Sequence, residues 1–122
     1  MLPPLHRRPR ADRLPADQRG MSSPDDATRR QAAVDRIYAR LSLSEPAADA
    51  RKPALVILTG LPGTGKTHLA RLLHEQGNFT LVGSDPVRAA LFESPTYTPA
   101  ENRFVYEVID ALLWRLLRER RD

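Results

Sequence analysis

The amino-acid sequence predicts an α/β fold, in which a parallel sheet is flanked by helices. Residues 54–59 form an apolar run typical of a buried strand, and a glycine-rich loop and an amphipathic helix follow it directly. A second apolar run, residues 79–83, comes after that helix and is followed by a long helix with paired apolar residues. Because strands that alternate with helices build parallel sheets, we expect the two runs to be parallel strands.

The loop reads GLPGTGKT at residues 60–67, with the spacing of a phosphate-binding P-loop. Its glycines permit a turn in which successive backbone N–H groups face inward, and the next helix adds the positive end of its dipole. Lys66 can reach the outer phosphates of a nucleotide, and the Thr67 hydroxyl can hold Mg²⁺. The alternative is a glycine-rich turn with an exposed lysine. The predicted nucleotide-binding residues are Gly60, Leu61, Pro62, Gly63, Thr64, Gly65, Lys66, Thr67 and His68.

Four segments are predicted along the chain. Residues 1–22 are rich in Arg and Pro without apolar periodicity, which predicts a disordered tail. Residues 23–43 are predicted to hold an amphipathic helix capped by Ser23, whose apolar stripe either packs on the core or binds a partner chain. Residues 44–53 have the composition of a linker, and residues 54–122 are predicted to be a partial nucleotide-binding domain.

Composition excludes several classes of protein. The 122 residues contain no Cys, which excludes disulfides, thiolate zinc sites and a Cys nucleophile. The net charge is +4, but residues 1–20 hold five Arg against two Asp, so no broad nucleic-acid-binding surface is expected. His68 and His74 lack a third ligand at metal spacing and predict no metal site. No apolar run approaches the roughly 20 residues of a membrane span, so a cytoplasmic protein without membrane contact is expected.

Start and stop signals place further helices in the second half of the chain. The helix after the loop is expected to end at Gly77, and a short helix is expected over residues 86–92. Thr98, Pro99 and Glu101 have the spacing of a capping box with proline at the first helical position, so the long helix is predicted to begin there.

From residue 54 onward the chain resembles the P-loop kinases of the zeta-toxin, chloramphenicol-phosphotransferase and polynucleotide-kinase group, which are often labelled AAA-family ATPase domains. The resemblance lies in LVILTGLPGTGKTHLARLL, LVGSDPVRAALF and YTPAENRFVYEVIDALLWRLL. The Ser-Asp-x-x-Arg and Tyr-Thr-Pro-x-x-Asn pieces are the more specific ones. The resemblance implies a kinase-like P-loop NTPase fold, with ATP and Mg²⁺ as cofactors and a hydroxyl compound as phosphoryl acceptor.

In those kinases an Asp at the end of the second strand takes the proton from the acceptor hydroxyl, and an Arg three residues later holds the acceptor. Asp85 and Arg88 match these positions. One helical turn separates the two residues, so both are expected to face the same cleft. The alternative for Asp85 is a helix N-cap, because Asp before Pro is typical of a helix start, and the two roles can coexist.

The resemblance also implies that residues 54–122 hold only the N-terminal half of this fold. In the kinases a third strand lies between the first two, and an arginine-bearing lid and further strands follow it. The two predicted strands are therefore not expected to be neighbours, which leaves backbone groups unpaired. We expect the chain to be marginally stable and weakly active or inactive by itself.

Three functions are compatible with these observations. The first is an ATP-dependent kinase that phosphorylates a hydroxyl of a small molecule or of a polynucleotide end, with Lys66, Asp85 and Arg88 as its catalytic residues. The second is an AAA-type ATPase that couples hydrolysis to motion. The third is a non-catalytic protein that binds a nucleotide, or a partner chain through residues 23–41.

Overall fold

The computed structural model describes residues 23–49 and 51–122, so the predicted tail at residues 1–22 lies outside the described residues. These two ranges contain four α-helices and no β-strand. None of the helices in the described ranges combines the length and the apolar character needed to cross a bilayer. The helices are α1 (Pro24–Tyr38), α2 (Lys66–Gly77), α3 (Ser84–Leu91) and α4 (Pro99–Arg118).

Helix α1 begins at its predicted cap. The Ser23 hydroxyl accepts a hydrogen bond from the Asp26 N–H at 3.2 Å, and the Asp26 carboxylate accepts one from the Ser23 N–H at 3.4 Å. The helix ends at Tyr38, earlier than the predicted boundary at residue 43. The physical reason is a tighter last turn, in which the Leu41 N–H donates to the Tyr38 carbonyl, three residues back, at 3.2 Å.

The core lies where α1 and α3 pack against α4. Each helix contributes apolar side chains at helical spacing, so one face of each is removed from water. The apolar stripe of α1 is therefore buried within the chain itself, as the packing alternative for this helix expects. The buried core residues are Ala33, Val34, Ile37, Val87, Val105, Val108 and Leu112.

The predicted parallel sheet is not formed by the described residues. Residues 54–59 and 79–83 belong to no strand, and they lie on either side of Asp122. The Asp122 side chain accepts a hydrogen bond from the Ala54 N–H at 2.8 Å, and its backbone carbonyl accepts one from the Thr80 N–H at 2.6 Å. Within the described residues the two runs do not pair with each other, and neither of them forms a strand. Without an adjacent strand their backbone groups have no ladder to join, and Ile57 is 74% exposed.

The predicted linker at residues 44–53 is attached to the rest of the chain rather than free of contacts. Ser44 is buried; its N–H donates to the Thr80 hydroxyl at 2.9 Å, and its own hydroxyl donates to the Asp122 carbonyl at 3.0 Å. The Ala47 N–H donates to the Arg120 carbonyl at 2.9 Å. Helix α2, by contrast, packs against none of the other three helices and has no buried residue.

Replacing Leu112 tests the packing of α4. Leu112→Ala is expected to lower the free energy of unfolding by about 2–5 kcal/mol, because it empties space at a fully buried position. Leu113→Ala is the matched control, since the neighbouring leucine is only partly buried and is expected to cost about 1 kcal/mol. Urea unfolding followed by far-ultraviolet circular dichroism measures both losses. Equal losses in the two variants would contradict this packing.

Candidate nucleotide-binding site

The loop at residues 60–67 takes a backbone shape that depends on its glycines. Gly63 and Gly65 have φ angles of 79° and 90°, in the left-handed region that other residues rarely adopt. A Cβ atom at either position would meet nothing within 4 Å, so the constraint is backbone conformation and not crowding. Gly65 is also the N-cap residue of α2, which places the loop at the positive end of that helix.

The loop leaves its backbone donors unused. Within the described residues, the N–H groups of Leu61 and of residues 63–67 make no short, well-aligned hydrogen bond; Pro62 has no N–H group. Unpaired N–H groups that precede and open a helix are suited to bind an anion. The donor set of this loop therefore fits the phosphates of a nucleotide.

Lys66 is folded back onto the loop. Its ammonium donates to the carbonyl of Gly60 and to the carbonyl of Leu61, the latter at 3.1 Å. The Thr64 hydroxyl also donates to the Leu61 carbonyl, at 2.8 Å. These exposed contacts orient the ammonium without burying it, so it can exchange carbonyl oxygens for phosphate oxygens at little cost.

Thr67 and His68 are exposed in the first turn of α2, next to the loop. No group of three acidic, His or Cys side chains that could hold a metal ion occurs within residues 23–49 and 51–122. The Thr67 hydroxyl is an exposed protein oxygen beside the loop. One such oxygen fits Mg²⁺, which commonly takes few protein ligands and completes its shell with nucleotide phosphates and water.

Asp85 lies in the first turn of α3, and it is not the N-cap. The helix begins one residue earlier than Asp85, at Ser84, and its N-cap is Gly83. The capping interpretation of Asp85 is therefore wrong, since the helix starts before the Asp-Pro pair. The carboxylate is exposed and accepts no hydrogen bond from the described residues.

Arg88 is in a different environment from Asp85, although one turn separates them. Its residue surface is only 6% exposed, its Nη1 donates to Glu101 Oε1 at 2.7 Å, and its guanidinium carbon lies 4.5 Å from the centre of the Tyr97 ring. Its Nε is buried without a hydrogen-bond partner in the described part of the chain. The expectation that Asp85 and Arg88 share an open cleft is not what the structure shows.

The sequence correctly places Glu101 in the helix cap at Thr98, but its carboxylate makes different hydrogen bonds from those that a capping box predicts. Its N–H donates to the Thr98 hydroxyl at 3.2 Å, as a helix cap requires. Its carboxylate, expected to return to the Thr98 N–H, instead accepts bonds from the Thr96 N–H and hydroxyl, both at 2.8 Å, and from the Tyr97 N–H at 3.2 Å. The nearest signal in the sequence is the cap motif, which places the carboxyl group at this turn.

The acidity of Glu101 reflects these contacts. Burial by itself would raise the pKa of the carboxyl group. The hydrogen bonds from Thr96, Arg88 and Tyr97 outweigh burial and lower the pKa from 4.5 to about 2. Glu101 is therefore an anion over the whole neutral range.

The loop and the Asp85 region are not joined by helix packing. Helix α2 makes no packing contact with α3. A cavity of about 400 Å³ opens between α1 and α4, but its lining includes Arg30, Trp114 and Arg118 and no residue of the loop. The structure thus brings together Arg88, Tyr97 and Glu101, and it leaves Lys66 and Thr67 with the loop alone.

A pH titration of stability tests the role of Glu101. A carboxyl group with a pKa of about 2 in the folded chain and 4.5 as its ordinary value stabilises the fold fully above about pH 4.5. That contribution is lost as the pH falls towards 2. Glu101→Gln is therefore expected to have a lower Tm than the parent chain at neutral pH, with the gap closing near pH 2.

The matched control for this titration is Glu75→Gln, an exposed position on α2. Thermal unfolding followed by circular dichroism gives the Tm of each protein across the pH series. If the difference in Tm between the parent chain and Glu101→Gln stayed constant over that range, the ionised carboxylate would not be the source of the stabilisation.

Comparison with known families agrees with the loop geometry. A family model described as AAA domain matches residues 55–122, which is more than half of the chain. A search of the curated proteins and a search of the solved structures each found no match. The matched range covers the loop, α2, α3 and α4, and so it includes the whole candidate site. The chain therefore belongs to the AAA domain family and is a P-loop nucleotide-binding protein.

Proposed function

We propose that this protein is kinase-like and transfers the γ-phosphate of ATP to a hydroxyl group of a small molecule or a polynucleotide end. The observation that carries the proposal is the loop at residues 60–67, with its unused N–H groups and the ammonium of Lys66. The exposed carboxylate of Asp85 adds to it, because transfer to a hydroxyl requires an acceptor for the proton. The resemblance to the zeta-toxin and polynucleotide-kinase group supports the same reaction.

The loop residues bind and orient the nucleotide. The backbone N–H groups and the N-terminus of α2 would hold the phosphates of a bound nucleotide, and the Lys66 ammonium, now on the Gly60 and Leu61 carbonyls, would bind the outer phosphate oxygens. Thr67 offers its hydroxyl to Mg²⁺. When bound, MgATP supplies the phosphoryl group and neutralises part of its charge. The protein contributes position and fixed positive charge, which dominate catalysis of this reaction.

Asp85 acts at the acceptor. Its carboxylate has no hydrogen bond to give up within the described residues, so it is free to accept the proton of an incoming hydroxyl. Arg88 is predicted to hold the acceptor, and its ion pair with Glu101 fixes the guanidinium one turn from Asp85. This pairing and the burial of Arg88 count against that role, because the guanidinium would have to leave Glu101 to contact the acceptor.

A second candidate function is nucleotide binding without transfer. It is favoured by the lack of packing between α2, which follows the loop, and α3, which carries Asp85. Phosphoryl transfer needs the two groups in one cleft with the reacting atoms in line. Nucleotide binding needs the loop alone.

Replacing Lys66 tests nucleotide binding. MgATP at about 100 times its Kd is expected to stabilise the parent chain by about 2.7 kcal/mol, and Lys66→Ala is expected to lose most of this gain. Lys52→Ala is the matched control, because Lys52 is the other lysine of the chain and lies exposed outside the loop. Thermal shift with and without MgATP measures the effect. Equal stabilisation of both variants by MgATP would show that Lys66 does not bind the phosphates.

Replacing Asp85 separates the two candidate functions. With a panel of hydroxyl compounds and radiolabelled ATP, Asp85→Asn is expected to lower transfer by about 10²–10⁴-fold while the MgATP thermal shift is kept. Asp110→Asn, at an exposed position of α4, is the control. Transfer that survives Asp85→Asn would exclude Asp85 as the base. Binding without transfer by the parent chain would favour the second candidate function.

A further inference from the structure

The loop and α2 are attached to the rest of the chain at their two ends. Before the loop, the Ala54 N–H donates to Asp122 Oδ1 at 2.8 Å. After α2, the side chain of its C-cap residue Asn78 accepts a hydrogen bond from the Glu45 N–H at 3.1 Å and donates one to the Glu45 carbonyl at 3.5 Å. Within the described ranges α2 packs on no other helix, so hydrogen bonds at its ends take the place of helix packing.

Asp122 holds both of the apolar runs that precede the functional residues. Its carboxylate accepts the hydrogen bond from Ala54, the first residue of the run that leads into the loop. Its backbone carbonyl accepts a hydrogen bond from the Thr80 N–H at 2.6 Å and one from the Ser44 hydroxyl at 3.0 Å. Thr80 belongs to the run that leads to α3, and its hydroxyl is itself bonded to Ser44. One residue thus joins the two runs.

The Asp122 side chain is held in one orientation. It is only 6% exposed, and its second carboxylate oxygen accepts a hydrogen bond from the Arg51 guanidinium. The bond from Arg51 lowers the pKa of the Asp122 carboxyl group, so both oxygens act as acceptors at neutral pH. Asp49 lies 3.6 Å from the same guanidinium, but its side chain is 65% exposed and so is held less firmly. A buried carboxylate with both oxygens engaged is a fixed attachment point.

The loop and the proposed base are about equally far along the chain from Asp122. Gly60 follows Ala54 by six residues, and Asp85 follows Thr80 by five. At about 3.3 Å per residue, the loop and Asp85 each lie within about 20 Å of the bonds to Asp122. Both runs start from the same attachment point and are short, so a change at that point alters the relation between the loop and Asp85.

We propose that Asp122 is a positioning residue for phosphoryl transfer, because it holds the start of the loop run and the run before Asp85 at one point. It acts through these two runs and not by contact with the nucleotide. The inference rests on the proposed function for its reaction, but the fixed relation between α2 and α3 that it requires can be measured without any substrate. Asp122 thereby supplies the link that helix packing between α2 and α3 does not.

The experiment measures the separation of α2 and α3 with two spin labels. Because the chain contains no Cys, labels on Arg71→Cys and Ala89→Cys, at exposed positions of α2 and α3, attach nowhere else. Double electron–electron resonance gives the distribution of distances between the labels. Asp122→Ala is expected to broaden this distribution, because the Ala54 N–H loses its acceptor. Ala54→Pro removes the donor of the same bond, leaves the Arg51 ion pair in place, and is expected to broaden it likewise.

Asp49→Ala is the matched control. It removes the other carboxylate beside Arg51 but no acceptor of the Ala54 N–H, so the distribution is expected to stay as narrow as in the parent chain. Circular dichroism shows which variants are folded at the temperature of the measurement. If Asp122→Ala is not folded, Ala54→Pro decides. A lower Tm with an unchanged distribution, or equal broadening in Asp49→Ala, would overturn the inference, since Asp122 would then affect stability alone.

The transfer assay with radiolabelled ATP tests the consequence for the reaction. Asp122→Ala is expected to lower kcat about 10²-fold and to keep the MgATP thermal shift, because displacing a reacting group by about 1 Å has an effect of this size and the loop shape is local. Unchanged kcat despite a broadened distribution would also overturn the inference. Broadening in Asp122→Ala without any transfer by the parent chain would count against the proposed function, and would leave Asp122 as the joint between the two runs.

Discussion

Burial of one face of α4 is the interaction on which the rest of the structure depends. Val105, Val108 and Leu112 are fully buried against α1 and α3, and each such side chain contributes about 1.5–3 kcal/mol through removal from water. Glu101 lies one turn before Val105 on the same face. The packing that buries these apolar residues therefore also carries the Glu101 carboxylate to Arg88 of α3.

A charged group inside this contact is stable because it is fully engaged. Burying a carboxylate and a guanidinium removes both from water, which costs free energy unless hydrogen bonds replace the lost ones. Glu101 has contacts with Arg88, with both polar groups of Thr96 and with the Tyr97 N–H. The same carboxylate thus joins Arg88 of α3, the turn at residues 93–98 and the first turn of α4.

The phosphate-binding loop depends on local backbone geometry and not on this core. Gly63 and Gly65 have the left-handed φ angles that shape the loop, and α2 follows without packing on another helix. Nucleotide binding and phosphoryl transfer therefore have different structural requirements. Nucleotide binding needs only the conformation of residues 60–67, whereas phosphoryl transfer also needs Asp85 close to this loop.

The sequence by itself determined the features that depend on residues close along the chain. Ser23 and Thr98 cap their helices because a hydroxyl and an N–H three residues later are always within reach, and the glycine spacing predicts the loop in the same way. Only the tertiary structure decided that Arg88 is buried on Glu101, and that residues 54–59 remain outside any sheet. A buried ion pair and a β-ladder both require partners from distant parts of the chain, so neither can be derived from local spacing.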